Sequence, residues 1–411
     1  MSQLTASSSV VIVGAGQAAG ETASELRKLG YEGRIRIFGE EAQPPYKRPP
    51  LSKAYLAGAV QDEALFVMRG PQMEKFNIEF VGNARVSAID RAAKTISLEN
   101  GASESYDKLV LATGGRARLL PIENADAPNV FPLRTIADVQ AIRPHCVEGK
   151  RLVIVGGGFI GLEVAAIALK LGLKVTVLEG LPRVLARVTV PQMSSFFERV
   201  HRQAGVDLRT GAQVSAFEGN PVTAVTLADG SRIEADFIVL GIGLTANVEL
   251  AQACGLDVDN GIVVDEFTRT SDPDIHAAGD CTNHPSEFLG KRVRLESVQN
   301  AMEQGRAVAR NLMGRDAPYK TVPWFWSDQY DLKLQMVGVS GEHDDMVIRG
   351  NPEAERSFAV FYLKQGRLIA ADAVSRPQEF MFAKKLVSQG SVVDPARLAD
   401  ESLSMKEIAS L

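Results

Sequence analysis

An α/β fold, with two Rossmann-like dinucleotide-binding domains and a smaller α+β C-terminal domain, is predicted by three features of this sequence. The stretch from Val10 to Gly20, VVIVGAGQAAG, sets an apolar, β-branched run against a glycine turn. The stretch from Arg151 to Gly180, RLVIVGGGFIGLEVAAIALKLGLKVTVLEG, repeats that layout. Beyond Val322 the theme changes: PWFWSDQY carries both tryptophans, Trp324 and Trp326, and short strand-like runs follow. Parallel strands joined by helices are the expected product of the first two stretches, and antiparallel strands of the third.

In the first stretch Val10 to Val13 reads as a buried strand, and Gly14, Gly16 and Ala19 fill the pattern G-x-G-x-x-G/A. Gly14 permits the tight turn, Gly16 lets a pyrophosphate approach the backbone, and Ala19 lets the helix pack close to the strand. Glu21 to Leu29 continues at helical spacing, and Arg34 to Phe38 reads as the second strand. Glu40, just past it, is placed to reach ribose hydroxyls. Gln43 to Lys53, QPPYKRPPLSK, is stiffened by four prolines, because residues before proline avoid helix. That frame either is a rigid surface loop or holds Arg48 and Lys53 over a bound anion or an electron-rich ring. Ile78 to Val81, Arg85 to Asp90 and Thr95 to Leu98 read as short strands, with Asn100-Gly101 as a turn. Leu109 to Ala112 is an apolar strand ending in Thr113-Gly114-Gly115.

In the repeat, Gly156, Gly158 and Gly161 take the three glycine positions and Glu179 ends the second strand. An acid there binds ribose hydroxyls and repels a 2′-phosphate, which favours NADH over NADPH, with Arg183 the nearest opposing charge. Two complete fingerprints point to two dinucleotide sites; one site lost after duplication is the alternative. Val206 to Arg209, Gln213 to Phe217, Val222 to Leu227 and Phe237 to Leu240 read as strands, with Asp229-Gly230 as a hairpin turn. Gly241-Ile242-Gly243 again puts glycines at a strand end, where a nicotinamide can come close.

After about Glu249 the chain is expected to return to the first domain. In DIHAAGDC, Asp280 follows Gly279 and can accept hydrogen bonds from a flavin's ribityl chain; Gly-Asp is also a common turn. Glu296 to Asn311 reads as a helix. In the last part Leu332 to Val337, Met346 to Arg349, Phe358 to Leu363 and Leu368 to Ala373 read as antiparallel strands, with Gln365-Gly366 as a turn. Phe380 to Ser388 and Lys406 to Leu411 look helical.

Composition excludes several classes. The chain has 411 residues, 45% apolar and 23% charged, a globular composition with room for two or three domains. A net charge of −5 gives no basic footprint for nucleic acid. The polar start, MSQLTASSS, lacks the apolar core of a secretory signal, and no apolar run has the length of a membrane span. Cys146, Cys254 and Cys281 are isolated, without C-x-x-C spacing, which argues against a disulfide framework, a zinc ribbon or an iron–sulfur cluster. A reducing, cytoplasmic setting is the expectation.

Taken together, the VGAG turn, YKRPPLSK, LATGG, VGGGFIGLE, AAGDC and WFWSDQ resemble the flavin-dependent ferredoxin reductases that serve bacterial Rieske-type dioxygenases and haem monooxygenases. The resemblance covers nearly the whole chain. It implies the glutathione-reductase-like fold, with an FAD-binding domain over 1–118 and 249–323, an NAD-binding domain over 119–248 and a C-terminal domain over 324–411. By matching motif, FAD contacts would include Gly14, Gly16, Ala18, Glu40, Arg48, Lys53, Val86, Arg134, Asp280 and Val298. Gly158, Ile160, Glu163, Glu179 and Gly243 would meet NADH. Lys53 would sit beside the flavin and pair with Glu163, and Trp326 would lie near flavin and nicotinamide, so these three are the candidate catalytic residues. Disulfide reductases of the superfamily carry C-x-x-x-x-C after the second strand; Gln43 to Tyr46 stand there instead.

The resemblance therefore implies electron transfer from NADH through FAD to a 2Fe–2S ferredoxin, and indirectly to an oxygenase, by a monomer or weak homodimer. Arg310, Arg315, Arg376, Lys384 and Lys385 are candidates for a basic docking face, but a solvated charged surface is the stronger reading of each. The competing readings are a rubredoxin reductase or NADH oxidase, a flavoprotein like apoptosis-inducing factor whose partner affinity answers to NADH, and a scaffold with vestigial sites.

Overall fold

The computed structural model describes residues 4–408, which form two compact units. The first is drawn from the chain up to Arg48, from Gln61–Arg116 and from Thr245–Thr321. The second is drawn from Pro49–Val60, Ala117–Leu244 and Val322–Leu411.

The first unit is built on a five-stranded parallel sheet. Its spatial order is Ile275–Ala277, Lys108–Leu111, Ser9–Val13, Arg34–Phe38 and Ile78–Val81. Val13 stands opposite Phe38 on one side and Leu111 on the other, so the central strand ends level with its neighbours. Alternation along that strand divides the core. Val10 and Ile12 pack with Ala19, Leu26, Ile35, Ile37 and Val308, on the face covered by the helices Gln17–Lys28 and Val298–Leu312. Val11 and Val13 face the other way, with Ile96, Leu98 and Leu109, under a three-stranded antiparallel sheet that begins at Val86.

The two helices cross closely because their contact residues are small. A Cβ at Gly305 would stand 2.7 Å from the Ala18 carbonyl oxygen. Charge pairs Glu21–Arg306 at 3.1 Å and Glu25–Arg310 at 3.0 Å flank the crossing.

The second unit repeats the plan. Its parallel sheet runs Asp207–Thr210, Lys174–Glu179, Arg151–Val155, Phe237–Leu240 and Val130–Pro132. Val153, Val155, Ile238 and Leu240 pack under a second three-stranded antiparallel sheet. The repeat read from the glycines is thus a repeat of strand order. The outermost strand differs: it comes from far downstream in the first unit and from just upstream in the second.

The second unit also contains a five-stranded antiparallel sheet of order Trp324–Gln329, Leu332–Gly338, Arg367–Val374, Phe358–Lys364 and Asp345–Arg349, packed by the helix Pro377–Ser388. Strand Phe358–Lys364 is buried on both faces, which is why its sequence lacks alternation.

Most expected elements are present within one or two residues, including all four strands expected in the tail. Three differ more. The first helix starts at Gln17, four residues before the apolar spacing becomes visible, because Ala18 and Ala19 face the sheet as small residues. Trp324–Gln329 is a strand, which its mixed composition hid. Pro191–Ala204 is a helix with proline in its first turn and Gly205 left-handed beyond its end, signals that the sequence carried but the strand-rich reading passed over. The expected terminal helix is described as Met405–Ile408, and 409–411 lie outside the described residues.

Candidate functional sites, two glycine cradles and a buried lysine–glutamate pair

Parallel strands end together, so the residues after them collect at one edge. In the first unit Gly14 follows Val13, Glu40 lies two residues beyond Phe38, and Asp280 lies three beyond Ala277. Gly14 has φ +102°, and a Cβ there would stand 2.2 Å from the Ala112 carbonyl oxygen, so only glycine fits. Gly16 has open space where a side chain would be. It precedes a helix whose first turn has no side-chain cap and no acidic residue. An uncapped, positive helix end beside open space suits a pyrophosphate. Glu40, with its side chain 67% exposed, reaches outward beyond the second strand, its nearest cation Arg85 at 3.8 Å.

Arg48 belongs to this unit as well. Its guanidinium donates to Glu41 Oε1 at 2.7 Å and to the Tyr46 hydroxyl at 2.7 Å, and Tyr46 donates to Glu41 Oε2 at 2.5 Å. Burial works against the charge of Arg48, but Tyr46, Glu41 and Asp280 more than offset it and raise its pKa. The Gly279–Asp280 turn is gripped from below: Gly279 N donates to Gln304 Oε1 at 2.7 Å, and Thr282 Oγ1 donates to the same oxygen at 2.9 Å. Gln304 Nε2 in turn meets His284 Nδ1 at 3.0 Å, and burial pushes His284 down to about 4, so the ring accepts there. Ala18 and Val86 are buried, and Val298 opens the helix capped by Ser297.

In the second unit Gly156 has φ +113° and a Cβ would stand 2.4 Å from the Gly241 carbonyl oxygen, the same constraint as at Gly14. Gly158 precedes the helix Phe159–Lys170, again without a side-chain cap. Glu179 accepts from Gly157 N at 2.6 Å and from Leu181 N at 2.8 Å, so its carboxylate is fixed at the glycine turn. Arg183 turns away from it. The guanidinium donates to the Thr189 and Ala186 carbonyls at 2.8 and 3.0 Å and to Ser194 Oγ at 2.7 Å. Ile160 is exposed beside Gly158, and the Gly243 carbonyl accepts from Arg118 N at 3.0 Å.

Within this unit the expected ion pair forms. Lys53 Nζ donates to Glu163 Oε2 at 2.6 Å, and Ser52 Oγ to the same oxygen at 2.5 Å. Ser327 Oγ donates to Glu163 Oε1 at 2.6 Å. Glu163 is only 3% exposed, so its charge rests on these three donors. Trp326 is not on that side of its strand. Phe325 and Ser327 face the Phe159–Lys170 helix, with Phe325 against Phe159 at 4.7 Å. Trp324 and Trp326 face the other way, 5.6 Å apart, with Lys384 Nζ 4.9 Å above the Trp324 ring.

The expected residues therefore divide. Gly14, Gly16, Ala18, Glu40, Arg48, Val86, Asp280 and Val298 lie in the first unit; Lys53, Arg134, Gly158, Ile160, Glu163, Glu179, Gly243 and Trp326 lie in the second. Among the basic residues considered for docking, Arg310 pairs with Glu25, and Arg376 with Glu379 and Glu401. Sequence reading missed Ser52, Ser327 and Gln304. Ser52 stood beside a named lysine, but no motif marks a hydroxyl that reaches a distant carboxylate. The three cysteines are unpaired thiols, and the described residues hold no cluster able to bind a metal and no helix long and apolar enough to cross a membrane.

The family described as pyridine nucleotide-disulphide oxidoreductase matches residues 8–305, and the family described as reductase C-terminal matches residues 324–409. Putidaredoxin reductase CamA of Pseudomonas putida is 47% identical, over 98% of this chain and 97% of its own. The 5,5'-dehydrodivanillate O-demethylase ferredoxin reductase subunit of a Sphingobium species is 44% identical, over 97% of this chain and 98% of its own. The crystal structure of the covalent putidaredoxin reductase–putidaredoxin complex superposes with a TM-score of 0.95 at 47% identity, covering 98% of both chains.

Proposed function

The chain belongs to the pyridine nucleotide-disulphide oxidoreductase family, and on that premise we propose that it is an NADH-dependent ferredoxin reductase. Electrons pass from NADH through FAD to a 2Fe–2S ferredoxin that feeds an oxygenase. The observation that carries this reading is the doubled cradle: the same strand, glycine turn and uncapped helix occur once in each unit.

The residues of the first unit fit FAD. The open Gly16 turn takes the pyrophosphate, exposed Glu40 the adenosine ribose, and Asp280, fixed through Gln304, the ribityl hydroxyls. Arg48 supplies a held positive charge beside them. The residues of the second unit fit NADH. Glu179 binds the ribose hydroxyls and opposes a 2′-phosphate, while Arg183 is spent inside its own loop and offers that phosphate nothing. Domain limits follow the motifs: FAD binding by 1–118 and 249–323, NADH binding by 119–248, and a C-terminal domain over 324–411.

Bound FAD supplies the conversion of a two-electron hydride donor into a one-electron donor, chemistry no side chain here performs. The chain's part is to position and to balance charge. Lys53 places a cation where negative charge develops, and Glu163 with Ser52 holds that cation in place, which stabilises the charge without reorganisation. No cysteine stands in Gln43 to Tyr46, so electrons leave for an outside acceptor without a thiol step. We assign the protein to a reducing cytoplasm as a monomer or weak homodimer, in keeping with three unpaired thiols.

The test is anaerobic spectroscopy of the FAD-loaded chain. Bleaching by NADH, followed by rapid reduction of a 2Fe–2S ferredoxin and slow reaction with rubredoxin or oxygen, supports the proposal. A preparation that binds no FAD on reconstitution refutes it, and faster turnover with rubredoxin or oxygen moves it to a rubredoxin reductase or an oxidase.

A further inference from the structure

Strand alternation puts Phe325, Ser327 and Gln329 on one face of Trp324–Gln329. Ser327 and Gln329 are both 1% exposed, and they continue the polar contacts of Glu163 away from Lys53. Gln329 Nε2 lies 3.2 Å from Ser327 Oγ. Gln329 Oε1 lies 2.9 Å from Nε2 of His201, a fully buried residue of the helix Pro191–Ala204. His201 Nδ1 lies 3.0 Å from the hydroxyl of Tyr330, the one member of the series at the surface.

The donors in this series have one arrangement. An ionised Glu163 only accepts, so the single Ser327 proton goes to it. Ser327 Oγ then must accept, which requires the amide nitrogen of Gln329. That leaves the Gln329 oxygen toward His201, which must donate from Nε2. Nδ1 therefore accepts, and Tyr330 donates. Two further facts agree. Burial pushes His201 down to about 4, leaving it neutral with one nitrogen bare, and it pushes the Tyr330 phenol up, keeping its proton. Tyr330 also sits at φ +57°, an uncommon backbone for a tyrosine, in the two-residue turn that aims its ring at His201, 5.0 Å away.

We propose that Tyr330, His201, Gln329 and Ser327 are positioning residues that form a one-way row of donors ending on Glu163, and that this row fixes the carboxylate which holds Lys53. An amide in the row does not relay protons, so its role is orientation and charge stabilisation. Remove a link and Glu163 Oε1 loses its fixed donor; the carboxylate rotates, and Lys53 follows it out of register.

The proposal rests on the ferredoxin reductase reading only for its consequence in hydride transfer. Its first test needs no flavin. Nitrogen NMR of the full chain labelled at its five histidines should show His201 as a neutral imidazole protonated at Nε2 at pH 7, alongside His284, with the His201 signal identified by its loss in His201→Gln and altered in Tyr330→Phe. A His201 signal protonated at Nδ1, or at both nitrogens, overturns the row. The second test is stopped-flow reduction by NADH. Ser327→Ala should slow the limiting rate about tenfold and Gln329→Leu roughly threefold, with NADH affinity changed by less than about twofold. The two together should cost no more than about the larger effect, because they cut one row. His201→Gln, which can donate and accept in the same places, should keep the rate that His201→Leu loses. Wild-type limiting rates in folded Ser327→Ala and Gln329→Leu overturn the proposal. A chain that binds no FAD but shows the expected His201 tautomer refutes the ferredoxin reductase reading alone.

Discussion

Glu163→Leu, alone and with Lys53→Met, separates what the ion pair does for stability from what it does for electron transfer. Glu163 is almost fully enclosed and Lys53 nearly so, with side-chain exposures of 4% and 17%. Taking away the carboxylate leaves Lys53 Nζ and Ser52 Oγ each with the Pro49 carbonyl at 3.4 Å as remaining contact in the described structure, and leaves Ser327 Oγ without its acceptor. Breaking a buried pair from one side costs about 3–5 kcal/mol, because an ion stays in a poor solvent without its partner. Glu163→Leu should lose that amount. Adding Lys53→Met removes the stranded cation and fills similar volume, so the double variant should recover to within about 1–2 kcal/mol of the parent. Hydride transfer should stay slow in both, since the cation is absent or misplaced. Urea unfolding followed by tryptophan fluorescence measures this cleanly: Trp324 and Trp326 are the protein's only tryptophans and both lie in the unit that contains the pair. If the double variant is as unstable as Glu163→Leu, the cost lies in packing rather than charge, and the account of the pair fails.

Lys53→Met alone should bind FAD normally while flavin reduction by NADH slows about tenfold or more in stopped flow; an unchanged rate removes Lys53 from the mechanism. Glu179→Ala combined with Gly180→Arg should move the ratio of kcat/KM toward NADPH by about a hundredfold, because the acid that repels a 2′-phosphate is gone and a Cβ at Gly180 meets nothing within 4 Å, whereas Arg183 cannot serve. Asp372 accepts from Thr189 Oγ1 and from the Tyr362 hydroxyl, both at 2.6 Å, yet burial outweighs these bonds and lifts its pKa from 3.8 to about 6. The folded chain therefore holds this proton more tightly than the unfolded chain. That contribution is present below about pH 4 and is lost as the pH rises toward 6, by roughly 3 kcal/mol. Asp372→Asn should flatten that part of the stability profile in denaturant melts between pH 4 and 7; an unchanged slope assigns the proton elsewhere.

Local sequence sufficed wherever one segment makes its own chemistry. Gly14 and Gly156 declare a turn that only glycine can make, and the strands beside them declare parallel pairing through apolar runs with little alternation. Glu40 and Glu179 were legible because a strand end has a fixed relation to the turn before it. The tail strands showed through their short apolar runs and the Gln365-Gly366 turn, where both residues have positive φ. Lys53 and Glu163 were paired only by resemblance, because nothing in the stretch PPLSK or in the helix after Gly158 specifies a partner more than a hundred positions away.

What tertiary structure alone decided is how buried polar groups are satisfied. Ser327 reads as an ordinary serine in an aromatic segment, and Gln304 and His201 as polar residues on amphipathic helices. Each is buried with a specific partner, Ser327 on Glu163, Gln304 on the Gly279–Asp280 turn, His201 on Gln329. Strand and helix formation draws on interactions within a few residues, so its signal stays in the local pattern. Hydrogen bonds among distant side chains depend on which faces the folded sheets turn toward each other, and that information exists only once the chain has packed.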